Sequence, residues 1–334
     1  MSLFREIRQA CRDVAEGAQF VRINHDNLRT FALSLPSVDM APSLDPANHF
    51  LDQGEGTVAF VITLDAINFG SGWFPHLKKR PGLSGYFTIA ASLNDFFRAE
   101  GPIPANRLAL LNAGDCARIF GQDRKDKTVD ELMDRFATAL NDLGRLVVDR
   151  YNGRFVDLIE SAQASAEQLV NLLKAMPFFD DVESWRGRRV PFYKRAQLTA
   201  ADLAIAFHGE GWGRFDDLGE VTIFADNLVP HVLRMDGVIL YAPELAARID
   251  REELIQAGSP EEVEIRAAAL HAVELMVGEL RYAGRAATAM GIDFILWNRG
   301  HHPDYKRAKP RHRTRTAFYS AAEILRDKLE NPAT

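Results

Sequence analysis

Apolar residues recur at helical spacing along much of the chain. One stripe, with intervals of three or four residues, consists of Leu132, Phe136, Leu140, Leu143 and Val147. Such spacing places side chains on one face of an α-helix. Residues 128–131 (Thr-Val-Asp-Glu) predict a capping box at the start of this helix, with Thr128 as the cap, and Gly153 is expected to end it. A second stripe, over residues 155–176, predicts a further helix that Pro177 closes.

The strongest helix start lies at residues 259–262 (Ser-Pro-Glu-Glu), where a serine cap precedes a proline in the first turn. We expect the helix that begins there to run to about Ala289. It is apolar on much of its circumference, which predicts a central position in the core. Glu264, His271 and Glu274 fall on broadly one side of this helix. They line a pocket or, as we favour, form a satisfied polar seam.

Strand signals are few. Residues 57–63 (Thr-Val-Ala-Phe-Val-Ile-Thr) and 220–224 (Glu-Val-Thr-Ile-Phe) are rich in β-branched and aromatic side chains, so each is either a short strand or a buried helix end. Strands do not alternate with helices, which argues against a doubly wound sheet. We predict a mainly α protein with at most a few short strands, folded as a single helical domain over residues 1–334.

Composition narrows the class of protein. The 334 residues are 47% hydrophobic and 26% charged, and the net charge of −6 argues against a surface built wholly for nucleic acid. The two cysteines, Cys11 and Cys116, have the spacing of neither a disulfide framework nor a zinc site. The first residues lack the apolar core of a signal peptide, and the best apolar run, 58–67, is too short for a bilayer and contains Asp65. We therefore expect a cytoplasmic protein without a membrane partner.

Glycine and histidine motifs have ordinary interpretations. Residues 209–213 (Gly-Glu-Gly-Trp-Gly) lack the preceding strand and the Lys-Ser/Thr of a phosphate-binding loop, so we predict a flexible loop after a helix. His301 and His302 suggest a metal site, but zinc needs three or four converging ligands and no HExxH sequence is present. We predict a surface turn at residues 301–304 and no metal site.

A strongly basic run covers residues 306–315. Such a run is usually a solvated face or an RNA-binding tail. Arginine also binds a single phosphate through bidentate, charge-assisted hydrogen bonds, and here a helix-like segment through Leu329 follows the run. Recognition of one phosphate and binding of RNA therefore both remain open.

Asp65, Asp226 and Asp293 each lie inside an apolar or aromatic segment. An ionised carboxylate in such surroundings is costly unless it is paired or hydrogen-bonded. Each aspartate taken alone is most simply explained as a helix cap or as the partner of an arginine. Taken together, they also predict a pocket of carboxylates beside aromatic walls, which is what a carbohydrate or nucleoside site requires.

Several segments, in a shared order, resemble one family. They are 192–197 (Phe-Tyr-Lys-Arg-Ala-Gln), 222–226 (Thr-Ile-Phe-Ala-Asp) followed by Val229 and Pro230, 262–266 (Glu-Val-Glu-Ile-Arg), and 293–297 (Asp-Phe-Ile-Leu-Trp) followed by His312, Arg313 and Tyr319. The chain resembles the queuosine-salvage proteins, which are queuosine 5′-phosphate N-glycosylase/hydrolases. The resemblance extends from about His49 to Tyr319.

The resemblance implies a predominantly helical fold similar to that of helical DNA glycosylases, with no metal or organic cofactor. It implies an N-glycosidase that hydrolyses queuosine 5′-phosphate and releases queuine for salvage into tRNA, without a stable nucleic-acid partner. Asp293 is implied as the catalytic carboxylate that stabilises an oxocarbenium-like transition state. Asp226 is implied as the second catalytic carboxylate, which also helps to bind the base.

The resemblance also implies a set of substrate-binding residues. They are His49, Asp65, Asn68, Phe69, Trp73, Lys194, Phe224, Ala225, Ile295, Trp297, His312 and Arg313. Either Phe69 or Trp73 stacks on the base. Lys194 meets the phosphate, and Arg195 or the pair His312 and Arg313 supplies further contacts.

Two other functions remain as alternatives to the glycosidase. A noncatalytic tRNA-binding module would use the basic residues 306–315, although the net charge of −6 counts against it. A metal-dependent hydrolase would use His301 and His302, and we rank it last.

Overall fold

The computed structural model describes residues 2–36 and 43–315 of the chain. These residues are mainly α-helical, with short strands only, which confirms the predicted fold class. Tyr319 and the helix-like segment through Leu329 lie outside the described residues.

The helices and strands follow one another without a repeating order. The α-helices are α1 (Leu3–Gly17), α2 (His25–Ser34), α3 (Glu55–Ala66), α4 (Gly85–Glu100), α5 (Ala105–Leu108), α6 (Ala113–Phe120), α7 (Lys127–Arg150), α8 (Phe155–Glu160), α9 (Ala166–Leu173), α10 (Lys194–Ala206), α11 (Leu228–Met235), α12 (Pro243–Asp250), α13 (Pro260–Tyr282), α14 (Ala289–His301) and α15 (Pro303–Ala308). Single 3-10 turns occur at Phe74–His76, Pro177–Phe179, Gly211–Gly213 and Leu218–Glu220. The strands are β1 (Val21–Ile23), β2 (Val182–Trp185), β3 (Arg188–Pro191) and β4 (Ile239–Tyr241).

The strands form two antiparallel pairs. Strand β1 pairs with β4, with Arg22 opposite Leu240. Strand β2 pairs with β3, with Glu183 opposite Val190. Pairs of this length stabilise themselves poorly in water and depend on packing against helices.

The chain divides into two compact units, each assembled from separate stretches of sequence. The first unit takes its described residues from Met1–Pro42, Val182–Lys194 and Gly219–Arg315. The second takes them from Ser43–Asp181 and Arg195–Leu218. The single domain over residues 1–334 stays a prediction.

Helix α13 is the centre of the first unit, as its apolar circumference predicts. It packs against α1, α2, α11 and α14. Ser259 caps it as expected and accepts a hydrogen bond from the backbone N–H of Glu262 at 3.3 Å. The expected end near Ala289 is wrong, because the helix ends at Tyr282. Gly284, at φ +76°, turns the chain, and the N–H of Arg285 reaches back to the carbonyl of Leu280 at 2.9 Å.

Two of the three polar residues expected to form a seam on α13, Glu264 and Glu274, make the polar contacts that we favoured. Glu264 is buried and accepts hydrogen bonds from the backbone N–H groups of Gln19 and Phe20 and from the indole N–H of Trp185, at 2.9, 2.6 and 3.1 Å. Glu274 forms an ion pair with Arg8 at 3.0 Å. Both glutamates therefore tie the central helix to its neighbours within the first unit.

Helix α7 organises much of the second unit. All members of its predicted apolar stripe are buried, and the helix packs against α3, α5 and α6. The predicted capping box is wrong, because the cap is Asp126, whose carboxylate accepts from the N–H of Thr128 at 2.8 Å. Gly144 allows close approach of α5, since a Cβ there would lie 2.3 Å from the backbone nitrogen of Ala109.

The structure decides three other predictions of local structure. Residues 57–63 lie in helix α3, which is buried on every side. In the predicted stretch 220–224, Glu220 ends a 3-10 turn, and residues 221–224 lie in neither a strand nor a helix. The predicted helix over 155–176 is divided into α8 and α9, because Gln163 and Ala164 between them have positive φ angles of 51° and 56°.

Within residues 2–36 and 43–315, no helix is both long enough and apolar enough to cross a membrane.

Candidate active site

The two predicted catalytic aspartates, Asp226 and Asp293, both lie in the first unit, and each is within electrostatic reach of the other. Helix α14 carries Asp293 in its second turn, after Thr288 has capped the helix by accepting from the N–H of Gly291. Asp293 is buried, and its Oδ1 accepts a hydrogen bond from the backbone N–H of Phe224 at 3.0 Å. This bond fixes the segment that carries Asp226 against α14.

Burial changes the acidity of Asp293. Desolvation, the largest effect, raises the pKa of its carboxyl group from 3.8 to about 7. The negative charge of Asp226 raises this pKa further, whereas the Phe224 N–H and the positive charge of Lys194 lower it. Asp293 therefore exchanges its proton near neutral pH.

Asp226 has a different environment. Its side chain is 35% exposed, and its Oδ2 lies 3.5 Å from the ammonium group of Lys194, which is itself 6% exposed. Its Oδ1 accepts from the N–H of Leu228 at 2.9 Å, which turns the chain into helix α11. The turn and the ion pair match the simpler explanation of this aspartate, a structural role. The electrostatic coupling of Asp226 with Asp293 matches the other explanation, a pocket that holds more than one carboxylate.

Aromatic and apolar residues of the predicted site lie on the two segments that carry Asp226 and Asp293. Phe224 is buried and meets the ring of Phe294 edge to face, with the ring centroids 6.3 Å apart. Ile295 and Trp297 are half-buried on α14. The carbonyl of Ala225 accepts from the guanidinium of Arg266 at 2.9 Å. The first unit therefore brings apolar side chains and two carboxyl groups together.

The C-terminal part of the first unit adds His312 and Arg313. His312 is buried, and desolvation lowers its pKa from 6.5 to about 3, although the charge of Asp226 opposes this change. The imidazole is therefore neutral at physiological pH. Arg313 forms an ion pair with Glu252 at 3.2 Å, and its carbonyl accepts from the N–H of Ile255 at 2.8 Å.

The second unit contains the remaining predicted site residues. His49 is buried, and its Nδ1 lies 2.8 Å from the carbonyl of Asp45 while its Nε2 lies 3.0 Å from the hydroxyl of Tyr86. Because a carbonyl only accepts, Nδ1 carries the proton, and the Tyr86 hydroxyl donates to Nε2. Burial lowers the pKa of His49, so the ring is neutral and both of its nitrogens are engaged.

Asp65 is fully buried near the C-terminal end of α3. Its negative charge and that of Asp202 both contribute to raising the pKa of the Tyr86 hydroxyl, after the larger effect of burial. Asp65, Asp202 and the His49–Tyr86 pair therefore share one electrostatic neighbourhood. Sequence reasoning missed Tyr86, because no pattern along the chain links it to His49.

Asn68, Phe69 and Trp73 follow α3 in the second unit. The backbone N–H of Asn68 donates to the carbonyl of Asp65 at 3.2 Å. Phe69 and Trp73 are both buried and meet edge to face, with centroids 6.5 Å apart. The choice between these two rings as the stacking partner of the base stays a prediction.

Arg195 lies in the second unit and is engaged within the core. Its guanidinium donates to the carbonyl of Ala66 at 2.6 Å and lies over the rings of Phe69 and Phe179 at 4.9 and 5.2 Å. These cation–π contacts and the buried hydrogen bond give Arg195 a structural role, because they hold its guanidinium inside the second unit.

His301 and His302 lie where helix α14 ends and helix α15 begins. His301 ends α14, and its Nδ1 lies 2.9 Å from the carbonyl of Trp297. His302 follows as the cap of α15, where it accepts from the N–H of Asp304. Across residues 2–36 and 43–315, no group of three or more His, Cys, Asp or Glu side chains is arranged to hold a metal ion.

A carboxyl group that titrates near neutrality beside an ion-paired carboxylate is an arrangement suited to cleaving glycosidic bonds. One group can act as an acid or hydrogen-bond donor while the other supplies a negative charge. The fold is helical, and the site is a candidate pair of one protonated and one ionised carboxyl group. Such a fold and site place the protein in the class of candidate glycoside-cleaving enzymes.

The chain belongs to the queuosine salvage protein family, whose family model matches residues 48–319. It is 39% identical over 314 residues to the queuosine 5′-phosphate N-glycosylase/hydrolase of Sphaerobacter thermophilus, covering 92% of this chain and 96% of that protein. It is 30% identical over 337 residues to the protein of the same name from Mus musculus, covering 93% of this chain and 98% of the mouse protein. A third relative of that name, from Dictyostelium discoideum, is 32% identical and covers 79% of each chain. The family resemblance in the sequence is thereby confirmed.

Proposed function

We propose that the protein is an N-glycosidase that hydrolyses the bond between queuine and ribose in queuosine 5′-phosphate and so releases queuine for salvage into tRNA. Membership of the queuosine salvage family supports this substrate, since each of the three relatives described above is named for that reaction. The observation that carries the proposal is the pair formed by Asp293 and Asp226 in the first unit.

The environments of the two carboxyl groups support a division of roles. Cleavage of an N-glycosidic bond builds positive charge on the sugar, and a fixed anion stabilises that charge. Asp226 forms an ion pair with Lys194 and is partly exposed, which supports it as this anion. Asp293 holds a proton near neutral pH, which supports it as a hydrogen-bond or proton donor to the departing base. The sequence resemblance implied Asp293 as the stabilising anion, whereas this division of roles assigns the anion to Asp226.

Queuine is a 7-deazaguanine, so carbon replaces the ring nitrogen that acid catalysts usually protonate in purine release. The base is therefore harder to activate, and more of the rate enhancement must come from the anion beside the sugar. Loss of one preorganised electrostatic group typically lowers a rate by about 100- to 1,000-fold. We accordingly expect Asp226→Asn to lower kcat by at least this factor.

The neighbouring side chains complete the proposed site in the first unit. Phe224, Ala225, Ile295 and Trp297 form the apolar wall for the base, and Lys194 binds the phosphate. His312 is buried and neutral, so it adds no charge to the site. Arg313 and the second-unit residues His49, Asp65, Asn68, Phe69 and Trp73 stay predicted substrate contacts.

The deciding experiment measures free queuine after incubation with queuosine 5′-phosphate. The wild type is compared with Asp226→Asn, Asp293→Asn and the matched control Asp216→Asn, whose carboxylate is 65% exposed. We expect release by the wild type and the control and its loss in Asp226→Asn. If Asp293 acts as a donor, wild-type kcat/KM falls as the pH rises above about 7. A fall below pH 7 instead would assign the anionic role to Asp293.

The noncatalytic tRNA-binding alternative has less support. Within the basic run 306–315, Lys309 lies 3.9 Å from Asp250, and Arg313 pairs with Glu252. Part of its positive charge is therefore balanced inside the first unit. Together with the net charge of −6, this disfavours a dedicated RNA-binding face.

A further inference from the structure

Helix α13 carries a buried cation, Arg266, to which the proposed reaction assigns no part. Its side chain is 1% exposed, and a charge at such a depth is costly unless it is paired or hydrogen-bonded. Glu262 lies one helical turn earlier and is 2% exposed, and its Oε1 lies 3.6 Å from a guanidinium nitrogen. Glu262 therefore balances the charge of Arg266 within α13.

The guanidinium of Arg266 also contacts two segments outside α13. Its Nε–H donates to the backbone carbonyl of Ala225 at 2.9 Å, and its central carbon lies 3.9 Å from the centroid of the Phe192 ring. Phe192 is buried, so the cation lies over this ring out of contact with solvent. The ring restricts the orientation of the planar guanidinium, and the hydrogen bond to Ala225 thereby gains a fixed direction.

Both contacts fall next to the ion pair between Asp226 and Lys194 along the chain. Ala225 directly precedes Asp226, and Phe192 comes two residues before Lys194. The carboxylate and the ammonium group of that pair are 3.5 Å apart. Arg266 therefore connects the segment that carries the proposed anion to the segment that carries its cationic partner.

Residues 221–225, which lead to the proposed anion, lie in neither a helix nor a strand, and side-chain hydrogen bonds fix their backbone. Asp293 of α14 accepts from the N–H of Phe224 at 3.0 Å. Arg266 of α13 donates to the carbonyl of Ala225, the next residue. Such support matters for catalysis, because a displacement of about 1 Å in a catalytic group can lower a rate by about 100-fold.

We infer that Arg266 is a positioning residue that holds Asp226 in place for catalysis by fixing the carbonyl of Ala225. The inference rests on the proposed function, in which Asp226 is the anion beside the sugar. Arg266 acts through the backbone of Ala225 and does not itself contact the substrate. Its replacement should therefore lower kcat with little change in KM, because a misplaced anion stabilises the transition state less while the groups that bind the substrate remain.

The test measures kcat and KM for queuosine 5′-phosphate with Arg266→Lys and with Arg234→Lys as the matched control. Arg234 belongs to the same unit, is 9% exposed, forms an ion pair with Asp250 at 2.8 Å and lies over the ring of Tyr241. In each variant, lysine keeps the positive charge and lacks the planar guanidinium. We expect kcat per folded molecule to fall roughly 10- to 100-fold in Arg266→Lys, with little change in KM, and to keep its wild-type value in Arg234→Lys.

A second pair of variants removes the aromatic ring and keeps the cation. Phe192→Leu frees the guanidinium of Arg266 to turn, and it should lower kcat in the same direction but by less. Tyr241→Leu removes the corresponding ring beneath Arg234 and should leave kcat unchanged. Arg266→Lys decides the question if it folds, as judged by circular dichroism, and the Phe192→Leu pair decides it otherwise.

A purely structural role would lower stability and leave kcat per folded molecule unchanged. An unchanged kcat in the deciding variant, a rise in KM alone, or an equal loss of kcat in its matched control overturns the positioning role. Absence of queuine release by the wild type overturns the proposed function instead. In that event, hydrogen exchange of the backbone amides in residues 221–228 still tests the positioning: faster exchange in the deciding variant than in its control supports it, and equal exchange refutes it.

Discussion

Replacing Asp293 by asparagine should make the protein more stable than the wild type at neutral and alkaline pH, although the variant loses activity. In the wild type, the native state holds a proton on Asp293 up to a pKa of about 7, whereas an ordinary aspartate releases it near 3.8. The native state thus binds more protons than the unfolded state in this range, and wild-type stability declines as the pH rises from about 4 to about 7. Asparagine carries no charge and escapes this decline, while its side-chain oxygen still accepts from the N–H of Phe224.

The magnitude follows from the same pKa. A rise from 3.8 to about 7 corresponds to at most about 4 kcal/mol, at about 1.4 kcal/mol for each pH unit. The difference between the two proteins should therefore be small near pH 4 and reach up to about 4 kcal/mol by pH 8. Histidines with lowered pKa values, such as His231 and His312, destabilise both proteins equally in acid and cancel in the comparison.

Urea denaturation followed by tryptophan fluorescence at several pH values between 4 and 8.5 measures this difference. Asp216→Asn, an exposed carboxylate in the other unit, should follow the wild-type curve at every pH. Parallel pH curves for the wild type and Asp293→Asn would refute the reasoning, since they would mean that Asp293 ionises in the folded protein as easily as in the unfolded chain.

Three further outcomes are expected from the packing. Glu264→Ala should lower the free energy of unfolding by roughly 3–5 kcal/mol, because it leaves two backbone N–H groups and the indole of Trp185 without their acceptor; denaturant titration measures this loss, and Glu264→Gln should cost less. Gly144→Ala should lower the melting temperature, because its Cβ would lie 2.3 Å from the backbone nitrogen of Ala109, and an unchanged melting temperature would contradict this close approach. His312→Gln should be more stable than the wild type in acid. The wild type loses stability as the pH falls from 6.5 towards about 3, because unfolding frees the buried imidazole to take up a proton. Melting temperatures of both proteins across this pH range test the prediction.

Local patterns predicted the helices well and their ends less well. The stripe on α7 and the start of α13 depend on neighbours within a few residues, so the sequence shows them directly. The end of α13 depends on the positive φ of Gly284. The start of α7 depends on whether Asp126 or Thr128 caps the helix, and in the structure Asp126 does. Such competition between adjacent groups is decided by small energy differences that a pattern does not contain.

The candidate site likewise has features that the sequence predicts and features that only folding decides. The sequence alone identified Asp226 and Asp293 as carboxylates in unusually apolar surroundings, because side-chain chemistry and hydrophobic context are properties of the chain itself. Only the tertiary structure placed the N–H of Phe224 on Asp293, paired Asp226 with Lys194, and engaged Arg195 and Arg313 with other partners. The physical reason is that a proton affinity or the availability of a charge depends on desolvation and on neighbours that lie far away along the chain, and folding alone brings these together.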